Sequence, residues 1–120
     1  MVNQSFTAVI EKNSTFDGPF DTEPYESAWA REARWFIRAI EIQGELTVTP
    51  QISPDGLFWC AEGREPLVIH QPGLYSFTLR EFGGWLRLHG EMTGEQAKAK
   101  VLIYLVLKGR RSVPERKRGA

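Results

Sequence analysis

Residues 45–59 read ELTVTPQISPDGLFW, and the fold class follows from them. Leu46, Val48, Pro50 and Ile52 alternate with Glu45, Thr47, Thr49 and Gln51. A period of two makes a strand with one buried and one wet face. Ser53-Pro54-Asp55-Gly56 then turns the chain, because proline presets φ at the second turn position and glycine closes a type I turn. Leu57, Phe58 and Trp59 are expected to carry the chain back into apolar surroundings.

Outward from this ribbon, the N-terminal side is the harder to read. Residues 27–43 place Trp29, Ala33, Phe36, Ile37 and Ile40 at helical spacing, with Gly44 as a C′ residue. The run WFIRAIEI at 35–42 is nevertheless rich in aromatic and β-branched residues, and Gln43-Gly44 is good hairpin chemistry. A strand over about 33–43 is the reading adopted, with a helical turn near 27–31 left open. Residues 12–26 hold Asn13, Ser14, Asp17, Gly18, Pro19, Asp21 and Pro24, a density of turn formers that predicts a long loop or arm over about 12–31. Before it, Phe6, Ala8 and Ile10 share one face of a first strand at 5–11.

On the C-terminal side, Pro66 opens a short strand at 67–70, and Gln71-Pro72-Gly73-Leu74 has the type II turn pattern. Tyr75, Phe77 and Leu79 alternate with Ser76, Thr78 and Arg80, and Gly83-Gly84 is expected to close a hairpin onto a strand at 85–89. Residues 90–96 read as a loop. Residues 97–108 read as the last strand, apolar on both faces in its second half and therefore central or covered. Seven or eight strands joined by tight turns predict an all-β chain, a single two-sheet antiparallel β-sandwich of jelly-roll-like form over residues 1–109.

Charge and composition narrow the function. The 120 residues balance 15 basic against 15 acidic side chains. Six of the basic ones face only Glu115 in the last thirteen residues, while the rest of the chain holds nine basic against fourteen acidic. A slightly acidic body with a basic tail at 110–120 differs from a uniformly basic nucleic-acid binder, so no nucleic-acid partner is expected. The N-terminus lacks the basic start and apolar core of a signal peptide, and VLIYLVL at 101–107 is too short to span a bilayer, so no membrane role is expected. Cys60, the only cysteine, rules out an intrachain disulfide and reads as a small core or edge residue.

Little in the chain suggests chemistry. His70 and His89 have no Cys, Asp or Glu at a recognised ligand spacing. Asp55 reads as turn chemistry rather than a calcium ligand, and Glu41 with Glu45 as solvated carboxylates flanking a corner. No nucleophile elbow or phosphate-cradling loop is present, so the expectation is a non-enzymatic protein with no catalytic residues, cofactor or metal. Trp29, Trp35, Trp59 and Trp85 suit a sandwich core or an interface more than a sugar platform.

Three pieces together carry a resemblance: AREARWFIRAIEIQG at 30–44 leading into LTVTPQISPDGLFW, then residues 74–84 with WLRLHG, then residues 97–109 with VLIYLVLKG. This order resembles small β-sandwich structural proteins encoded in tailed-phage morphogenesis regions. The resemblance implies a virion protein made in the host cytoplasm, most simply a capsid decoration (cement) protein bridging subunits of the major capsid protein. It also implies a homo-oligomer, with a trimer as the guess. A tail or fibre accessory domain shares the fold, and a carbohydrate-binding sandwich module using Trp59 or Trp85 is the alternative from another class. The residues expected to meet partners are Phe16, Phe20, Tyr25 and Trp29 on the arm, Trp85 and Arg87 on one strand face, and Arg110 and Arg111 in the tail.

Overall fold

The computed structural model describes the backbone of residues 2–111 and the side chains of 5–109. Among the described residues every regular element is a strand. In chain order these are β1 (Val2–Phe16), β2 (Phe20–Asp21), β3 (Tyr25–Glu26), β4 (Glu32–Ser53), β5 (Cys60–Ala61), β6 (Leu67–Ile69), β7 (Gly73–Arg80) and β8 (Trp85–Arg111). All pairings are antiparallel. The helical spacing at 27–43 loses to the β-branched and aromatic content of that stretch, and a single turn, the Ala30 N–H donating to the Ser27 carbonyl at 3.0 Å, is what remains near 27–31.

Two long strands organise the rest. β4, of 22 residues, pairs along its whole length with β8, of 27. Hydrogen bonding is continuous, so the expected two sheets are one sheet folded over. The fold-over follows from chain length. Glu26 pairs with Trp85 and Glu32 with Lys108. The short stretch from Glu26 to Glu32 reaches at most about 20 Å, whereas a straight strand from Trp85 to Lys108 would run about 75 Å. β8 must therefore double back, and β4 with it. One layer holds β1, the second half of β8, the first half of β4 and β7. The other holds β2 and β3, the first half of β8, the second half of β4, and β5 and β6.

The bend sits where the sequence suggested a hairpin and a loop. Gly44 has φ of +83°, and a Cβ there would lie 2.6 Å from the Thr93 carbonyl oxygen and 2.8 Å from the Ala97 Cβ. The register shifts between Gln43 and Glu45, where Gly94–Ala97 of β8 bulge opposite Gly44. Gly44 thus bends a strand that keeps its partner, instead of reversing it. The buried set changes parity across this corner. Ala33, Trp35, Ile37 and Ala39 line the core before it, and Leu46, Val48 and Pro50 after it. β8 does the same, from Leu86 and Leu88 to Ala99, Val101, Ile103, Leu105 and Leu107. Bulges permit the switch, since one inserted residue moves the following side chains to the other face. The closing strand is central, as its double-sided apolar run predicted, lying between β1 and β4.

Three further expectations change. Residues 12–26 do not protrude: β1 continues to Phe16, and β2 and β3 pair with β8. Thr22 is buried, and its N–H donates to the Leu88 carbonyl at 2.9 Å while its Oγ1 accepts the Leu88 N–H at 2.9 Å. Turn formers here supply short links along an edge. Gly83-Gly84 closes no hairpin, because β7 pairs with β4 in one layer and β8 begins in the other. Those glycines serve close approach: a Cβ on Gly83 would lie 3.0 Å from the Ser53 carbonyl oxygen, and the Gly84 carbonyl accepts the Ser27 N–H at 2.7 Å. The backbone of Arg110 and Arg111 continues β8, so the tail begins later than the charge pattern suggested; residues 112–120 lie outside the described residues.

Candidate partner-binding surface

The turn after β4 is built from its side chains. Ser53 is buried, and its Oγ accepts the N–H groups of Asp55 and Gly56 at 3.2 and 2.8 Å and donates to Asp55 Oδ1 at 3.1 Å. Asp55 Oδ1 in turn accepts the N–H groups of Leu57 and Phe58 at 2.9 and 3.2 Å. These two backbone bonds, with help from Ser53, hold the Asp55 carboxyl below its ordinary pKa. Gly56, at φ +81°, rests on the Trp85 indole, where a Cβ would come within 3.1 Å of Cδ2.

The result corrects the expected return into apolar surroundings. Leu57 and Phe58 are 76% and 77% exposed. Both of their N–H groups are claimed by Asp55, which fixes the backbone with the two side chains outward. Only Trp59 turns in. The Arg87 guanidinium lies 4.3 Å from its ring centroid, and Arg87 Nε donates to Gln51 Oε1 at 2.6 Å. An apolar pair on a hydrogen-bonded turn is prepaid in conformational entropy, which favours use as an anchor.

The fold-over collects several of the expected partner residues at the end opposite the Gly44 corner. Trp85 begins β8 beside Glu26 and under Gly56. Tyr25 sits in β3, its ring 6.2 Å from that of Phe6 in β1, which links the edges of the two layers. Trp29 caps the same end against Gly109, and the backbone of Arg110 and Arg111 runs on from there, their side chains lying outside the described ones. Arg87 lies two residues inward. Phe16 and Phe20 are placed elsewhere. They stack on each other with centroids 3.7 Å apart and planes 11° apart, and Phe20 covers Gly90. Half-buried against the core, they close one side of the sandwich and are not free anchors. Sequence reasoning missed Leu57, Phe58 and Phe6. The signal for the first two was available: Ser-x-Asp-Gly turn chemistry accounts for the N–H groups that follow it.

One cluster joins Asp21, Arg87, His89 and Glu91 across β2 and β8. His89 Nδ1 lies 2.8 Å from Asp21 Oδ1 and Nε2 lies 3.0 Å from Glu91 Oε2. Hydrogen bonds to Glu91 and then Asp21 raise the His89 pKa against a smaller opposing effect of burial. Arg87 Nε is 3.9 Å from the same Asp21 oxygen. Asp21 stands opposite His89 across the β2–β8 pair, a contact that sequence spacing does not reveal. This clamp ties β2 to the sheet. Among the described residues, no group of three or more His, Cys, Asp or Glu side chains is arranged to hold a metal ion. His70 and Cys60 are exposed, and Cys60 lies on the short edge strand β5.

No protein-family model matches the chain, and no curated protein matches it in sequence. Solved structures do match in fold. The SPBc2 prophage-derived protein YomS superposes with a TM-score of 0.61 at 8% identity, over 91% of this chain and 96% of that one. The PBSX exported protein XepA gives 0.59 at 10% identity, over 99% of this chain and 41% of that one. PirA gives 0.50 at 15% identity, over 86% and 92%.

Proposed function

We propose that this chain is a non-enzymatic structural protein of a tailed phage that binds neighbouring virion subunits through the end of the sandwich carrying Leu57 and Phe58. The observation behind the binding surface is that exposed apolar pair on a turn held by five hydrogen bonds. Two large apolar side chains presented rigidly to water are what an interface centre requires. The phage assignment is supported by the match to a prophage-derived protein over nearly the full length of both chains. Within this reading the finer role is head decoration. The protein would bridge subunits of the major capsid protein and raise the cost of separating them, acting as a homo-oligomer in the assembled virion.

The carbohydrate-binding alternative draws less support. Trp59 has Arg87 over one face of its ring, and Trp85 has Gly56 against its own. Neither is an open platform. Cosedimentation with assembled phage particles tests the proposal, and a glycan array tests the alternative. Stoichiometric cosedimentation without glycan binding is the expected result, while glycan binding without cosedimentation would reverse the order of the two readings.

A further inference from the structure

A second feature of the same end is independent of the Leu57–Phe58 tip. Phe6, Pro24, Tyr25, Glu26 and Trp29 line a cavity of about 470 Å³ where the edges of the two layers meet. Three of the five are aromatic, and the only charge among them is negative. We propose that this cavity receives a basic side chain, lysine or arginine, of a partner polypeptide, with the aromatic rings and the Glu26 carboxylate as its two sources of attraction.

Three observations support it. First, two rings elsewhere in the fold carry the chain's own cations: Arg64 lies 4.7 Å from the centroid of the buried Phe77 and Arg87 lies 4.3 Å from that of the half-buried Trp59. Among the described side chains no Lys or Arg covers Phe6, Tyr25 or Trp29 in this way. Ring faces with negative quadrupoles beside a carboxylate attract a cation more than a neutral group. Second, Glu26 is positioned. Its Oε2 accepts the Ala28 N–H at 3.0 Å, which ties the carboxylate to the turn that carries Trp29. Third, the surrounding segment is uniformly acidic. Between Lys12 and Arg31 the chain holds Asp17, Asp21, Glu23 and Glu26 and no basic residue, so the segment that supplies four of the five lining residues brings only negative charge to them.

The test is a titration of the ¹⁵N-labelled full chain with the peptide Ac-Gly-Arg-Lys-Gly-NH₂, and with its neutral counterpart Ac-Gly-Gln-Gln-Gly-NH₂. The Trp29 indole N–H, assigned by its loss in Trp29→Ala, is the readout. A saturable shift with the basic peptide and none with the neutral one is expected. Glu26→Gln keeps an oxygen acceptor for the Ala28 N–H and removes only the charge. It should weaken binding roughly two- to five-fold, the scale of one exposed charged contact, with the circular dichroism spectrum unchanged. No saturable shift, an equal shift with the neutral peptide, or full affinity in Glu26→Gln would each overturn the proposal. Such a failure would leave particle binding through Leu57 and Phe58 standing, since that reading uses neither Glu26 nor Trp29.

Discussion

Replacing Gly44 by alanine probes the corner on which the whole architecture turns. The residue has φ of +83°, and a Cβ would meet the Thr93 carbonyl oxygen at 2.6 Å, the Ala97 Cβ at 2.8 Å and the Ala97 Cα at 3.3 Å. Two of these three atoms belong to backbone, so a rotamer change cannot relieve the clash. A left-handed conformation costs a non-glycine residue about 1–2 kcal/mol. Forcing atoms into a packed site adds about 1–3 kcal/mol. Alanine recovers about 0.4–1 kcal/mol by stiffening the unfolded chain. The net loss is about 3 kcal/mol, which for a domain of this size lowers Tm by about 10 °C. Urea denaturation followed by tryptophan fluorescence measures it directly. A Gly44→Ala protein within about 0.5 kcal/mol of the parent would show that β4 does not bend at this residue, and the single folded sheet would have to be abandoned.

Two other perturbations read the core and the His89 clamp. Leu105 is fully buried in β8 between Ala8 of β1 and Trp35 of β4, so Leu105→Ala should cost about 2–5 kcal/mol in the same denaturation assay; a loss under about 1 kcal/mol would contradict its central position. Because the folded-state pKa of His89 is raised above its ordinary 6.5, its contribution is fully present below that value and is lost as pH rises through the raised one. Partial exposure keeps the effect under about 1 kcal/mol. The stability difference between the parent and His89→Gln should therefore shrink from pH 5.5 to pH 8.5, and a difference that grew with pH would refute the clamp.

How far the sequence could be read depended on whether the deciding physics was local. The alternation of Leu46, Val48 and Pro50 and the double-sided apolar run at 101–107 depend on burial, and both stand as strands with the expected faces. Gly44 and Gly83-Gly84 misled for one reason. Glycine permits both a tight reversal and a close backbone approach, and only the partner strand decides between them. The partner here is β8 throughout, a pairing made across tens of residues. The segment at 12–26 misled because turn formers mark interruptions and not exposure. Thr22 and the two stacked phenylalanines, Phe16 and Phe20, hold it against the sheet. The Asp21–His89 contact needed the β2–β8 register, which no local pattern encodes. The exposed tip of the Ser53–Phe58 turn was nearer to legible. Once Ser53 and Asp55 capture the following N–H groups, the outward course of Leu57 and Phe58 follows from the turn itself.

The central claim is that this end of the sandwich binds a virion. Cosedimentation of the full chain with assembled particles, compared with a Leu57→Ser, Phe58→Ser double variant, tests it most directly. Both side chains are more than three-quarters exposed, so the variant should fold with its stability changed by no more than about 0.5 kcal/mol. The account predicts that the parent pellets with particles in fixed stoichiometry and that the variant stays in the supernatant. A parent that never pellets, or a variant that pellets as well as the parent, would contradict it.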